Sequence, residues 1–426
     1  MPGGDHRVIA GNVTMPQVMA LAPPQFAPSQ ATGPAQILVA FDGRSSPSCA
    51  AQAASVQAGI PSRFPGCAAR VLVARAGSSA TLVDAALLAL ETAEAPPPLP
   101  DGDAGSASLL SALLVEADRQ NSAAAGLFAG GERDESVDWL KLVFEPVMGG
   151  GFDFVWPTYR RHKLDGMLNT AIVYPLIRAL FGRGVRQPAA GEGVLSLALV
   201  RELLADPDWR REPGRAGSDA WLVAKVLAGN RRVCQAWLGG FTRQDEQVAR
   251  EDASHILARV VGPVFTEMER HAARWQRIEG TQSVPSFGVA SAFDGAAGPA
   301  SVEGPAAAFR LGLRELETLW RLVLPPAALL ELKRAAAARD EALQLEDALW
   351  ARVVYDFALA HATRTVERQL LLRSMTPLYL GFVAGFVNET RELDGAGTER
   401  RIEALCAAFE QEKRYAIARW RWPDHF

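Results

Sequence analysis

Residues 36–43 are Gln-Ile-Leu-Val-Ala-Phe-Asp-Gly, a short apolar run that ends in a turn. A continuous run of this kind is typical of a strand that is buried on both faces of a parallel sheet. In open α/β sheets, ligands bind beyond the carboxyl ends of the strands, so Asp42 is a candidate contact for a nucleotide. Taken alone, Asp-Gly indicates a turn more often than a ligand site.

The first half of the chain alternates strands with helices around this run. Further strands are predicted at residues 70–76, 123–131, 152–159 and 231–238, and helices at residues 81–93, 107–119, 139–147, 167–181, 194–204 and 219–227. Strands that alternate with helices imply an α/β fold with a mostly parallel sheet. Beyond residue 240, long segments rich in Ala, Leu, Glu and Arg repeat with a period near 3.6, which predicts helices.

These patterns predict two domains after a tail. An α/β domain spans residues 35–244, and an α-helical C-terminal domain spans residues 245–426 with a flexible, Gly- and Ser-rich insertion near residues 280–304. Residues 1–34 are rich in Pro, Gly, Ala and Gln and are predicted to be a disordered tail. A chain of 426 residues is long enough to bury a large core.

Composition narrows the class of partner. The net charge of −4 comes with scattered Lys and Arg, so neither nucleic acid nor a membrane surface is predicted as a partner. The apolar run at residues 377–387 is shorter than the roughly 20 residues that a membrane span needs. Cys49, Cys67, Cys234 and Cys406 are too far apart for a metal-type pair, which favours core thiols in a reducing cytoplasm.

Three blocks between residues 151 and 240 carry the motifs. They are Phe-Asp-Phe-Val-Trp-Pro-Thr-Tyr-Arg-Arg-His-Lys-Leu-Asp-Gly at 152–166, Arg-Gln-Pro-Ala-Ala-Gly-Glu at 186–192, and Gly-Ser-Asp-Ala-Trp-Leu at 217–222. In order and spacing the blocks resemble the second half of a GT-A glycosyltransferase domain of the mannosylglycerate synthase and glucosyl-3-phosphoglycerate synthase type. The resemblance implies retaining transfer of a hexose from a UDP- or GDP-sugar to a small anionic acceptor, such as glycerate or phosphoglycerate.

The resemblance implies catalytic roles for two carboxylates. Glu192 would lie beside the sugar ring, and Asp219 would lie near the acceptor hydroxyl. Gln187 joins Asp42 as a donor-binding candidate. Each carboxylate has a plainer alternative, because Glu192 would be favoured at the start of a helix and Asp219 would suit a helix N-cap.

A run of basic side chains follows the predicted strand at residues 152–159. Arg161, His162 and Lys163 are candidate acceptor-binding residues, because Arg and Lys bind carboxylate and phosphate well. Arg186, which opens the second block, is a fourth candidate by the resemblance. The alternative for the run is an exposed, charged turn.

The resembling enzymes use Mg²⁺ or Mn²⁺, and this chain has no metal-binding side chains at the implied ligand positions. An Asp-x-Asp motif is expected about eight residues before the Trp that opens the next helix, here Trp139, but Ala129, Gly130 and Gly131 stand there. A second ligand, a His, is expected within residues 238–243, which contain none. No metal site is therefore predicted. The nearby acidic residues, which are either shifted ligands or a solvated helix start, are Glu132, Asp134 and Glu135.

Two functional hypotheses follow. The chain is either an active hexosyltransferase that manages the donor diphosphate without the usual metal, or a catalytically silent homologue. The silent homologue would act as a regulatory, scaffold or carbohydrate-binding protein, through a partner protein or as a homodimer.

Overall fold

A computed structural model describes most of the chain beyond its first 34 residues. The described residues are 35–42, 49–74, 83–84, 104–134, 137–188, 191–211, 219–229, 231–242, 253–290 and 301–421. The predicted tail at residues 1–34 lies outside them.

The nine strands found among the described residues form one sheet. They are β1 (Ala35–Asp42), β2 (Cys67–Ala74), β3 (Val83–Asp84), β4 (Ala124–Ala129), β5 (Glu132–Arg133), β6 (Phe154–Arg160), β7 (Gly193–Ser196), β8 (Val233–Thr242) and β9 (Ser286–Phe287). Their order is β3-β2-β1-β4-β7-β6-β8-β5, and β9 also pairs with β8. Strands β3, β5 and β7 run against the other six. The sheet is therefore mostly parallel, and the predicted α/β class is confirmed.

The helices come in two groups. Those that connect the strands are α1 (Cys49–Arg63), α2 (Ala104–Arg119), α3 (Trp139–Met148), a π-helical turn (Asn169–Val173) leading into α4 (Tyr174–Phe181), α5 (Leu197–Ala205), α6 (Pro207–Arg211) and α7 (Asp219–Ala228). The helical C-terminal region contains α8 (Ala253–Arg270), α9 (Ala272–Trp275), α10 (Glu303–Glu315), α11 (Glu317–Trp320), α12 (Pro326–Ala336), a 3-10 turn (Asp340–Ala342), α13 (Asp347–Thr363), α14 (Arg368–Thr390) and α15 (Gly395–Arg421).

The apolar run at residues 37–41 lies in β1, an interior strand of the sheet between β2 and β4. Every residue from Ile37 to Phe41 is fully buried. Successive side chains of a strand point to opposite faces, and Leu38 and Ala40 pack into one hydrophobic cluster while Ile37, Val39 and Phe41 pack into another. The sheet is thus covered on both faces, as its unbroken apolar run predicts.

The helical C-terminal region continues the core of one sheet face. The cluster that contains Leu38 extends without a break to Phe409 of α15. Trp350 of α13 donates its indole N–H to the carbonyl of Ala171 at 2.8 Å. The two predicted domains therefore share one hydrophobic core.

Four strands were not foreseen. Strand β5 pairs with β8 where a solvated helix start was one alternative for Glu132. Strand β7 occupies the first residues of the helix predicted at 194–204, and the helix begins only after Ser196, whose side chain accepts from the N–H of Leu199 at 3.2 Å. Strand β3 lies within the helix predicted at 81–93, and its antiparallel pairing with β2 contradicts that prediction. Strand β9 lies within the predicted flexible insertion, yet it pairs with β8.

Helix α14 is long and apolar enough by length and composition to cross a membrane. In this fold 72% of its apolar window is buried inside the protein, as in a core helix, so it is weak evidence for a membrane span.

Cys234 and Cys406 are buried thiols and Cys67 is half-buried, and burial raises the pKa of Cys406 to about 12.

Candidate functional site

The two segments in which the resemblance places metal ligands lie side by side. Strand β4 ends at Ala129, and the next strand, β5, pairs antiparallel with the end of β8 at Phe241 and Thr242. The side-chain amide of Gln52 on α1 hydrogen-bonds to the backbone carbonyl of Gly131 and holds the turn between β4 and β5. Within the described ranges no group of three or more His, Cys, Asp or Glu side chains could hold a metal ion.

Arg133 fills the space between these segments. Its side chain is only 6% exposed. Its Nη2 donates to the carbonyl oxygen of Ala129 at 2.9 Å, and its Nε donates to the hydroxyl of Tyr159 at 3.3 Å. The guanidinium carbon lies 4.9 to 5.9 Å from five aromatic ring centroids, those of Phe41, Phe128, Trp139, Tyr159 and Phe241. A cation over ring faces at these distances is stabilised by the ring quadrupoles.

Glu192 is the counterion of Arg133. Its Oε1 lies 3.2 Å from Nη2 of Arg133 and accepts from the backbone N–H of Ala129 at 2.6 Å. The Glu192 side chain is 1% exposed. Burial, and after it the charge of Glu192, raises the pKa of Tyr159 far above its ordinary value, so its hydroxyl stays protonated. Glu192 precedes strand β7 and not a helix, so the alternative of a helix-dipole charge is wrong.

Asp219 lies beside the backbone turn at Gly191. Gly191 has φ +63, a conformation that glycine adopts without strain. A Cβ at this position would lie 2.8 Å from Oδ2 of Asp219, the first residue of α7. Asp219 therefore lies against the backbone of Gly191, the residue that precedes Glu192 in the chain. Ala189 and Ala190 lie outside the described residues.

Gln187 makes a backbone-like pair with strand β6. Its Nε2 donates to the carbonyl of Tyr159 at 2.9 Å, and its Oε1 accepts from the Tyr159 N–H at 3.3 Å. The pairing of β6 with β7 covers only Phe154 and Val155, so the amide of Gln187 takes over where β7 no longer pairs. Its amide is thus engaged by the strand. Asp42 is the other donor-binding candidate, and its backbone pairs with Ala129 in the sheet register. The structure describes the backbone of Asp42 but not its side chain.

Arg186 connects the site to the helical region. Its guanidinium lies 5.1 Å over the ring of Tyr174 and reaches Glu399 of α15 with Nε and Nη2 at 3.4 Å each. Its backbone N–H donates to the side chain of Gln235 at 2.7 Å, and its carbonyl accepts from Asn169 at 3.1 Å. The first residue of the second block is therefore held from three sides.

The side chains of the basic run after β6 contact different parts of the protein. Arg161 lies with its guanidinium carbon 5.9 Å over the ring of Tyr159, beside the Arg133 cluster. The His162 ring accepts from the N–H of Leu164 at 3.3 Å within the turn. Lys163 points away, because its ammonium donates to the carbonyls of Thr390, Arg391 and Leu393, at 2.6, 3.1 and 3.2 Å, at the end of α14.

Sequence reasoning missed Arg133. It is flanked by acidic residues at 132, 134 and 135, and by itself it is one of many charged side chains. The available signal was the set of aromatic residues at the ends of β1, β4, β6 and β8, which meet at the same edge of the sheet. Neither the protein-family models nor the curated proteins give a match to this chain.

Proposed function

We propose that this chain is a catalytically silent GT-A glycosyltransferase-like protein that binds a UDP- or GDP-hexose weakly and without a metal ion, and does not transfer the sugar. The observation that carries the proposal is the buried contact between Arg133 and Glu192. A carboxylate that serves as counterion to an internal guanidinium is neutralised, and it is not poised for work on a sugar ring.

The residues at the implied metal position support the same conclusion. Mg²⁺ and Mn²⁺ prefer several hard oxygen ligands, whereas Ala129 and Gly131 offer only backbone groups and Arg133 brings a positive charge between them. A bridging metal contributes several kcal/mol of leaving-group stabilisation, and about 1.36 kcal/mol corresponds to tenfold in rate. An uncompensated loss therefore slows transfer by roughly three or more orders of magnitude.

A second candidate function is retaining hexosyl transfer to a glycerate-type acceptor. It is favoured by the proximity of Asp219 to Gly191, the residue before Glu192, because the resemblance implies that Glu192 lies beside the sugar ring and Asp219 near the acceptor hydroxyl. Arg161 is then the basic residue best placed for the acceptor, since Lys163 is engaged by the end of α14.

Turnover and binding separate the two candidates. We expect calorimetry to give weak binding of UDP-glucose or GDP-mannose that is the same in EDTA and in Mn²⁺. We also expect no product with glycerate or phosphoglycerate. Product formation that Glu192→Gln abolishes would establish the transferase instead. A tenfold gain in affinity with Mn²⁺ would refute the metal-free site.

A further inference from the structure

The surroundings of Arg133 suit one kind of cation. Among the described residues, Ala129, Tyr159 and Glu192 each bring an oxygen atom to its guanidinium, and the one from Glu192 belongs to a carboxylate. A small divalent ion needs six or more oxygen ligands in a compact shell. A guanidinium is flat, weakly hydrated and delocalised, so it tolerates aromatic faces where a hard ion keeps its water.

Arg133 contacts three separate parts of the chain. Its own strand β5 pairs with Phe241, its Nη2 bonds to the end of β4, and Glu192 comes from the segment before β7. These are the segments in which the resemblance implies the metal ligands and the sugar-ring carboxylate. The guanidinium of Arg133 therefore pairs with the buried carboxylate of Glu192 and links it to the ends of β4 and β8.

We propose that Arg133 is a resident cation: its guanidinium takes the place of the divalent ion that the resemblance implies, and the aromatic cage is built for a guanidinium. The cage is defined as the rings of Phe41, Phe128, Trp139, Tyr159 and Phe241. It follows that the cage, once Arg133 is shortened, binds a free alkylguanidinium ion, whereas Mn²⁺ or Mg²⁺ does not replace the lost side chain.

Thermal unfolding of the full chain tests this proposal without any assay of activity. Arg133→Ala should lower the unfolding midpoint, and millimolar methylguanidinium should restore part of it in a saturable way, because a ligand that binds only the folded state raises stability. In Arg133→Ala with Glu192→Gln, the concentration needed for half of the effect should rise at least tenfold. Arg160→Ala is the matched control, because Arg160 is a neighbouring half-buried arginine outside the cage that methylguanidinium should not replace.

Two further variants cover the case in which Arg133→Ala does not fold. Arg133→Lys keeps the charge, and Arg133→Met keeps a long apolar chain without charge, so the Lys variant should have the higher midpoint. Equal midpoints would overturn the proposal. It would also be overturned if methylguanidinium failed to stabilise a folded Arg133→Ala, or if Mn²⁺ raised the midpoint of the unaltered protein in a way that EDTA reverses.

Discussion

Lys163→Met separates a structural from a ligand-binding role for the basic run. The ammonium of Lys163 is buried and donates to three carbonyls at the end of α14, where the helix dipole favours a positive charge. Methionine keeps the aliphatic stem and removes the donors. Hydrogen bonds to a charged group contribute about 1.5 to 3 kcal/mol, and carbonyls left without a partner add to that loss. We expect the free energy of unfolding to fall by about 3 kcal/mol.

Urea unfolding with linear extrapolation measures this loss. The midpoint should fall while the slope stays the same, because the surface exposed on unfolding hardly changes. Lys141→Met is the matched control, since Lys141 is 47% exposed and its ion pair with Glu145 is long at 3.9 Å. Such a pair contributes less than about 1 kcal/mol. If Lys163→Met lost no more stability than Lys141→Met, the contact with the end of α14 would have no energetic role.

Three other predictions concern packing, pH and the acceptor. A Cβ at Gly193 would overlap the ring of Phe154, so Gly193→Ala should lose about 1 to 3 kcal/mol in urea unfolding. Burial, and then neighbouring arginines, lower the pKa of His361 to about 4, so the unfolded chain binds a proton first and stability should fall by about 3 kcal/mol between pH 6.5 and pH 4. Burial raises the pKa of Asp356 to about 6, so its own contribution rises as pH falls through the same range. His361→Gln should flatten the acid loss and Asp356→Asn should steepen it. Arg161→Ala should weaken calorimetric glycerate binding by about 1.5 to 3 kcal/mol.

Matched variants control for these effects. Gly304→Ala adds a Cβ that meets no other segment of the described residues within 4 Å, and it should not be destabilising. His255→Gln, at an exposed helical histidine, is the matched variant for His361→Gln. If Arg161→Ala leaves glycerate affinity unchanged, the turn after β6 is not an acceptor site. If His361→Gln has the same acid limb as the unaltered protein, the titration lies elsewhere.

The strands that carry strong apolar runs could be predicted, and those set by pairing could not. Strand β1 has five buried residues in a row, which only a sheet covered on both faces accommodates. In contrast, Val194 and Leu195 continue into an apolar stretch with helical composition, and only their position between β4 and β6 makes them a strand. Ser196 was the local sign of the change, since it caps the helix that follows.

The site was partly predictable for the same reason. Motif spacing singled out Glu192 and Asp219 as candidates, and Asp219 lies against Gly191, the residue before Glu192. Spacing could not identify Arg133, because its partners are rings from four strands and one helix that only the fold assembles. Nor could it separate Arg161 from Lys163, because the helix end that accepts from Lys163 is 227 residues away.

The link between α15 and α4 has a consequence for synthesis. Lys413 of α15 donates to the carbonyl of Ala179 at the end of α4, and the two residues are 234 positions apart. Arg178 of α4 likewise binds Glu410 at 2.7 Å. On the ribosome, α4 emerges long before its partner helix exists. Until α15 has been synthesised, the face of α4 that it covers stays exposed in the nascent chain. During this interval a chaperone could bind that face, and a chain truncated before α15 would leave it exposed permanently.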